Sequence, residues 1–196
     1  MRSGLAGHLR ATGAEVTGID GSANLLELAR RKYGNIKFLQ ADLANGLPDL
    51  DGQFDLAVSH TVVMDLPDVD HLFKDVSVAL VVGGRFIFSL LHPCFWNQKS
   101  HRDDETGDWH KRVSGYLNHE VWRVKSFGGH NHYHRPISYY TSALHRAGLV
   151  TRQLLEPEHE PYGGSGIPDD FIRRFPLFLV IEAVNQEDVG TPNRND

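Results

Sequence analysis

The sequence predicts an α/β protein: a Rossmann-like, mostly parallel sheet with helices on both faces and an antiparallel last strand. Three observations carry this. Short strand-like runs alternate with helical periodicity through residues 4–91, the pattern of a parallel, helix-covered sheet. "FDLAVS" at 54–59 is nearly continuous in apolar residues, as suits a strand buried on both faces. The last two strands, 150–156 and 177–184, have no long helix between them, and a short connection joins only antiparallel neighbours.

The elements follow in order. "GLAGHLRAT" (4–12) carries Leu5, Ala6 and Leu9 at helical spacing, and Gly13 suits the turn that closes the helix. "EVTGI" (15–19) is a strand by its β-branched residues. Ser22 offers an N-cap for "ANLLELARRKYG", with Leu25, Leu26, Ala29 and Tyr33 on one face and Gly34 at the stop. "IKFLQ" (36–40) is the next strand, followed by a polar loop and the strand at 54–59. Asp68 is placed to cap a helix over 69–80, where Val69, Leu72, Phe73, Val76, Ala79 and Leu80 form one apolar stripe. Gly83 and Gly84 end that helix, and "RFIFSLL" (85–91) is a strand. Residues 93–135 break the pattern: rich in His, Trp, Tyr and Asp, the region reads as either a lid or a disordered insert. "SYYTSALHRAGL" restores helical spacing, with Gly148 at its end, before the two final strands.

The chain has 196 residues, enough for one domain that buries roughly 70% of its unfolded surface. Residues 1–184 read as that domain, and the polar 185–196 as a flexible tail. The net charge is −5 and no dense Lys/Arg cluster occurs, which argues against nucleic acid as the main partner. The longest apolar runs are strand length, too short to cross a bilayer. Residues 1–20 lack a secretory pattern, and Cys94 is the single cysteine, so an internal disulfide is excluded. Both features fit a cytoplasmic setting.

Ligands of such sheets gather at the carboxyl ends of the strands. The residues there are Asp20-Gly21-Ser22, Ala41-Asp42-Leu43, Ser59-His60 and His92-Pro93. A carboxylate at a strand end can accept hydrogen bonds from vicinal ribose hydroxyls, and a second can accept from an exocyclic amine. Against this stand plainer roles: Asp20 as a turn residue, and "ADLANG" as ordinary loop chemistry.

In the order and spacing of these segments the chain resembles the class I S-adenosylmethionine-dependent methyltransferases, of the broad group acting mainly on small molecules. "GAEVTGIDGSANLLELARRK" resembles that family's second strand with its ribose-binding acid, here Asp20, followed by Gly21 and Ser22. "IKFLQADLANGLP" resembles the segment whose acid and next residue, Asp42 and Leu43, flank the adenine. "GQFDLAVSHTVVMDLPD" resembles the fourth strand, with Ser59 and His60 near the methionine moiety. "LVVGGRFIFSLLHPCF", and later "YYTSALHRAGLVTRQLLEP" with "FPLFLVIEAV", resemble the rest of the fold and its reversed last strand. The likeness covers about 4–92 and 136–184. It implies S-adenosylmethionine as cofactor and a small-molecule methyl acceptor.

One departure accompanies it. The family opens with a strand that runs into a glycine-rich loop, whereas "MRSGLAGHLR" starts within or just after such a loop, with Gly4 alone near the cofactor position. In that topology the missing strand lies between those ending at Asp20 and Ser59, and its loss leaves buried backbone unpaired. The expectation is a truncated form of a longer protein, with weak or absent cofactor binding if the chain is complete.

His60 and His92 follow strands and are candidate general bases, or pocket walls. Trp96, Arg135 and Tyr139 are candidate substrate contacts, with a lid core or a structural ion pair as the plainer alternatives. His130, His132 and His134 alternate, a spacing that a metal can use on a strand; no further ligand follows by spacing, and the reading is that no metal is bound. A nicotinamide-dependent oxidoreductase would also place an acid at Asp20, but no Tyr-x-x-x-Lys pair occurs. The third reading is a non-catalytic binding protein or partner subunit of the same fold.

Overall fold

The computed structural model describes residues 4–125, 129–158, 160–161 and 166–186. Residues 187–196 of the expected tail, and 159 and 162–165 of the loop before the last strand, lie outside the described residues. Contacts group the chain into two compact units, 1–51 and 52–196.

The first unit contains α1 (Gly4–Ala11), β1 (Thr17–Asp20), α2 (Ala23–Lys32), β2 (Lys37–Gln40) and a single 3₁₀ turn at Leu43–Asn45. Gly13 follows α1 at φ 94°, the left-handed conformation glycine adopts without strain. Ser22 caps α2, its hydroxyl accepting from Leu25 N at 3.3 Å. Leu26 and Ala29 are the buried face of α2. The helix closes at Tyr33, at φ −134°, rather than on Gly34 as the sequence predicts. β1 and β2 are parallel, with Thr17 opposite Lys37 and Asp20 opposite Gln40. Gly18 faces Phe38, whose ring lies where a side chain would stand: an added Cβ would be 2.6 Å from two ring carbons.

The second unit is built on a four-stranded sheet in the order β3-β4-β10-β9: β3 (Phe54–His60), β4 (Leu80–Leu91), β9 (Leu149–Leu155) and β10 (Phe178–Asn185). β3 and β4 are parallel, and β10 is antiparallel to both β4 and β9. The reversed last strand is therefore as predicted, and it is central. Two helices pack on this sheet, α3 (Asp70–Ala79) and α4 (Ile137–Arg146). Phe86, Phe88 and Leu90 alternate along β4 and pair with Ala183, Ile181 and Leu179 of β10. All six are buried, as period-2 alternation requires of one face. Phe73 of α3 sits on this face, its ring 5.4 Å from Phe86 and 5.3 Å from Phe88, and Tyr140 of α4 is 6.2 Å from Phe88.

Four local expectations are corrected. β3 is only partly buried, with Asp55, Val58 and His60 exposed, because in the described sheet β4 is its one neighbour. Val69, not Asp68, occupies the cap position of α3, while the Asp68 carboxylate accepts from Asp70 N at 2.6 Å. Gly83 and Gly84 do not end α3: the helix stops at Ala79, and the glycines lie inside β4 where its register to β3 shifts. Asn185 is no tail residue. It ends β10, and its amide donates to the carbonyls of Ser77, Leu80 and Val81.

The described residues of 93–135 are folded rather than disordered. They hold two antiparallel pairs: β5 (Ser100–Arg102) with β6 (Trp109–Lys111), and β7 (Glu120–Val124) with β8 (His130–His134). The alternating histidines of β8 enter an aromatic ladder. Trp122 stacks on His132 at 5.5 Å and on His134 at 4.9 Å, and Trp96 lies 4.2 Å from His132. His134 Nε2 also meets Tyr116 O at 3.0 Å. No cluster of three His, Cys, Asp or Glu is arranged for a metal among the described residues. No helix among them is long and apolar enough to cross a membrane.

Two outcomes are expected. Gly18→Val drives a branched side chain into the Phe38 ring and destabilises the protein by about 1–3 kcal/mol in urea unfolding. His132 is buried among aromatic rings, which pushes its pKa from 6.5 down to about 4, with His134, His130 and Arg135 adding to the effect. The unfolded chain takes up this proton first as pH falls. Stability is therefore lost between about pH 6.5 and 4 and levels off below. In His132→Phe, which keeps a stacking ring, the loss over that window measured by pH-dependent melting shrinks by about 1–3 kcal/mol.

Candidate functional site

The smaller unit assembles one set of predicted residues. Because Asp20 and Gln40 are register partners at the ends of parallel strands, the loops that follow them emerge on the same side. Asp20 closes β1, and its Oδ1 accepts from Ser22 N at 2.8 Å, which folds Gly21 into a tight turn. Gln40 Nε2 donates to Gly21 O at 3.2 Å and ties this turn to β2. The turn thus delivers Ser22 directly to the N-cap of α2. Asp20 Oδ2 has no donor among the described residues, so one carboxylate oxygen remains for a ligand.

Asp42 is more fully committed. Its Oδ1 accepts from Ala44 N at 3.1 Å and its Oδ2 from Asn45 Nδ2 at 3.2 Å, so it caps the 3₁₀ turn that begins with Leu43. The loop role foreseen for "ADLANG" is real. A carboxylate oxygen has two acceptor directions, so one at each oxygen stays available. Gly4 opens α1 with nothing within 4 Å of an added Cβ. Its position makes no demand that only glycine can meet.

The larger unit holds the other residues. Ser59 and His60 end β3. Ser59 Oγ is buried without a hydrogen-bond partner among the described residues. His60 is exposed, its Nδ1 2.5 Å from Ser89 Oγ on the neighbouring strand. That leaves Nε2 without a protein partner among the described residues. His92 is placed differently. It is 2% exposed, its Nδ1 accepts from Cys94 N at 3.1 Å, and its Nε2 meets Glu156 Oε1 at 2.8 Å. The Cys94 bond requires an unprotonated Nδ1, so Nε2 carries the proton and donates to Glu156. Both nitrogens are engaged, and no lone pair is left to take a proton from a substrate. His92 instead stacks on Phe95 at 4.7 Å and fixes that ring.

Arg135 also departs from expectation. It is 4% exposed and donates through one terminal nitrogen to Leu66 O at 2.7 Å and Pro67 O at 2.6 Å. The rings of Tyr139 and Tyr133 flank its guanidinium at 4.8 and 5.2 Å. This is a clamp between the start of α4 and the turn before α3, made through Nη2 to carbonyls rather than by the acid pairing considered from sequence, while Nη1 is buried without a hydrogen-bond partner among the described residues. Tyr139 belongs to the same clamp, and burial raises its pKa. Tyr140 beside it, buried in the core, is pushed up to about 12.

Trp96 lines a cavity of about 140 Å³ in the larger unit, together with Phe95, Phe171, Phe175, Ser100 and Lys111 among others. Spacing did not single out Lys111, Phe171 or Phe175. They lie far apart in sequence, and only the folding of the insert against α5 (Asp169–Ile172) brings them together.

Comparison with known proteins bears on the fold. Residues 3–88 match the family model described as a methyltransferase domain. A curated relative, trans-aconitate 2-methyltransferase of Azoarcus sp. (strain BH72), is 31% identical over 104 residues. That alignment spans 52% of this chain but only 40% of the relative. An S-adenosylmethionine-dependent methyltransferase from Mesorhizobium loti superposes with a TM-score of 0.76 at 27% identity, over 92% of this chain and 85% of that one. A putative S-adenosylmethionine-dependent methyltransferase from Listeria monocytogenes gives a TM-score of 0.75 at 29% identity, over 92% and 84%. The mixed sheet with its antiparallel final strand and these matches show the fold of the S-adenosylmethionine-dependent methyltransferases, and residues 3–88 are similar to a methyltransferase domain.

Proposed function

We propose that this chain transfers a methyl group from S-adenosylmethionine to a small-molecule acceptor. The observation that carries the reading is the β1 tip: a strand-end carboxylate with one oxygen spent on its own turn and the other open. That is the acceptor set that the hydroxyls of a ribose need. The likeness to two S-adenosylmethionine-dependent methyltransferases over 92% of the chain supports it. The curated relative acts, by its name, on an organic acid, which favours an acidic acceptor.

In this reading Asp20 accepts from the ribose hydroxyls, with Gly21 and Ser22 shaping the turn around them and Gly4 on the approach. Asp42 accepts from the adenine amine, and Leu43 gives the ring an apolar contact. Ser59 and His60 serve the methionine end, where the orphan Ser59 hydroxyl has a hydrogen bond to give. The cofactor supplies a sulfonium methyl, and an in-line displacement asks chiefly for alignment and exclusion of water. His60 is the better placed of the two predicted bases, because its Nε2 has no protein partner among the described residues while both nitrogens of His92 are bonded. A single cysteine, Cys94, fits a cytoplasmic setting for this activity.

Calorimetry with S-adenosylmethionine and with NAD, each in turn, tests the proposal. Heat with the first and none with the second is the expected result; heat with NAD alone overturns it. Asp20→Ala, with an unchanged melting temperature, is expected to weaken S-adenosylmethionine by about 1.5–3 kcal/mol, the worth of a hydrogen bond to a charged group.

A further inference from the structure

We propose that the cavity beside β5, β6 and α5 seats the methyl acceptor, and that the acceptor is a small monoanion with one ring or a short branched chain. Its apolar body would lie among Phe95, Trp96, Phe171 and Phe175, and its carboxylate against Lys111. The role as acceptor site rests on the methyltransferase reading; the class of ligand does not.

Size is the first argument. A cavity of about 140 Å³ is close to the roughly 150 Å³ that holds one benzene. The walls are the second. Phe175 lies 5.1 Å from Phe171 and 5.4 Å from Phe95, and Phe95 is pinned by the stack on His92. Trp96 is held from behind by His132 and Trp122. Rings fixed in this way are ordered before a ligand arrives, which lowers the entropy cost of binding.

Charge is the third. Lys111 pairs with Ser100 across β5 and β6, and both residues line the same cavity. Its Nζ lies 5.4 Å from the Phe175 ring and makes no ion pair among the described residues. Burial alone lowers its pKa, and no carboxylate opposes the shift. A half-buried cation without a counter-ion, at the rim of an apolar cavity, is matched by one anionic group on an apolar ligand. The tricarboxylate named for the curated relative matches poorly, because its further charges would meet aromatic rings with no partner. His92 enters as a positioning residue, holding Phe95 in the wall.

The test uses the full chain and fluorine NMR with 4-fluorobenzoate and, as its uncharged counterpart, 4-fluorobenzyl alcohol. Saturable binding of 4-fluorobenzoate is expected. Lys111→Met keeps the alkyl stem and is expected to weaken benzoate about tenfold or more, the loss of one charge-assisted bond, while the alcohol changes by less than about twofold. Ile172→Trp, which fills the cavity, abolishes both while the melting temperature confirms folding. The proposal is overturned if neither probe saturates, if Lys111→Met weakens both equally, or if trans-aconitate binds more tightly than 4-fluorobenzoate in a Lys111-dependent manner. A parallel titration with S-adenosylmethionine separates the two readings: benzoate binding without cofactor binding keeps the ligand class and removes the acceptor role.

Discussion

The larger unit depends on β10 lying between β4 and β9 with its direction reversed. A central strand has both edges paired, so its backbone is satisfied without water and its side chains can be fully buried. Leu179, Ile181 and Ala183 are accordingly at most 1% exposed and extend the Phe86–Phe88 face that α3 and α4 cover. The start of β10 also orders the chain around it: Leu177 O accepts from His92 N at 2.8 Å just before the strand begins. That bond locates His92, and through it Phe95 and one wall of the cavity. At the other end Asn185 holds three carbonyls at the close of α3 and the turn into β4.

The two acids of the smaller unit differ in how much of each carboxylate the fold itself uses. Asp20 spends one oxygen on Ser22 N and thereby makes the turn that starts α2. Asp42 spends both oxygens on its own 3₁₀ turn. Sequence marks both as strand-end acids and already favours Asp20, because "ADLANG" is ordinary loop chemistry; the number of free acceptor directions, which depends on local turn geometry, runs the same way. Asp20 keeps one oxygen without a donor among the described residues, and Asp42 keeps neither.

Histidine is where local reasoning reached its limit. The spacing of His130, His132 and His134 placed them on one side of a strand, and β8 is that strand. Whether such a row meets a metal, water or rings depends on what lies opposite. Trp122 and Trp96 lie there, and burial then keeps His132 uncharged. His60 and His92 look alike in sequence, each after an apolar strand. The difference is the partners: Ser89 on one side of His60, but Cys94 N and Glu156 on the two nitrogens of His92. Glu156 is 64 residues away, and no local pattern predicts it.

The sequence by itself determined the class of fold, the order of its elements outside 93–135 and the reversal of the last strand. Periodicity, caps and connection length act over a few residues and are written into the chain. It also determined that Asp20 and Asp42 each follow the carboxyl end of a strand; the parallel pairing that carries both to one side belongs to the structure. Tertiary structure alone decided that Arg135 is a clamp on the carbonyls of Leu66 and Pro67, that Gly83 and Gly84 lie inside a strand, and that Lys111 shares a cavity with Trp96 and Phe175. Those outcomes turn on contacts between residues distant in sequence. They depend on which surfaces exclude water from one another, and no window along the chain contains that information.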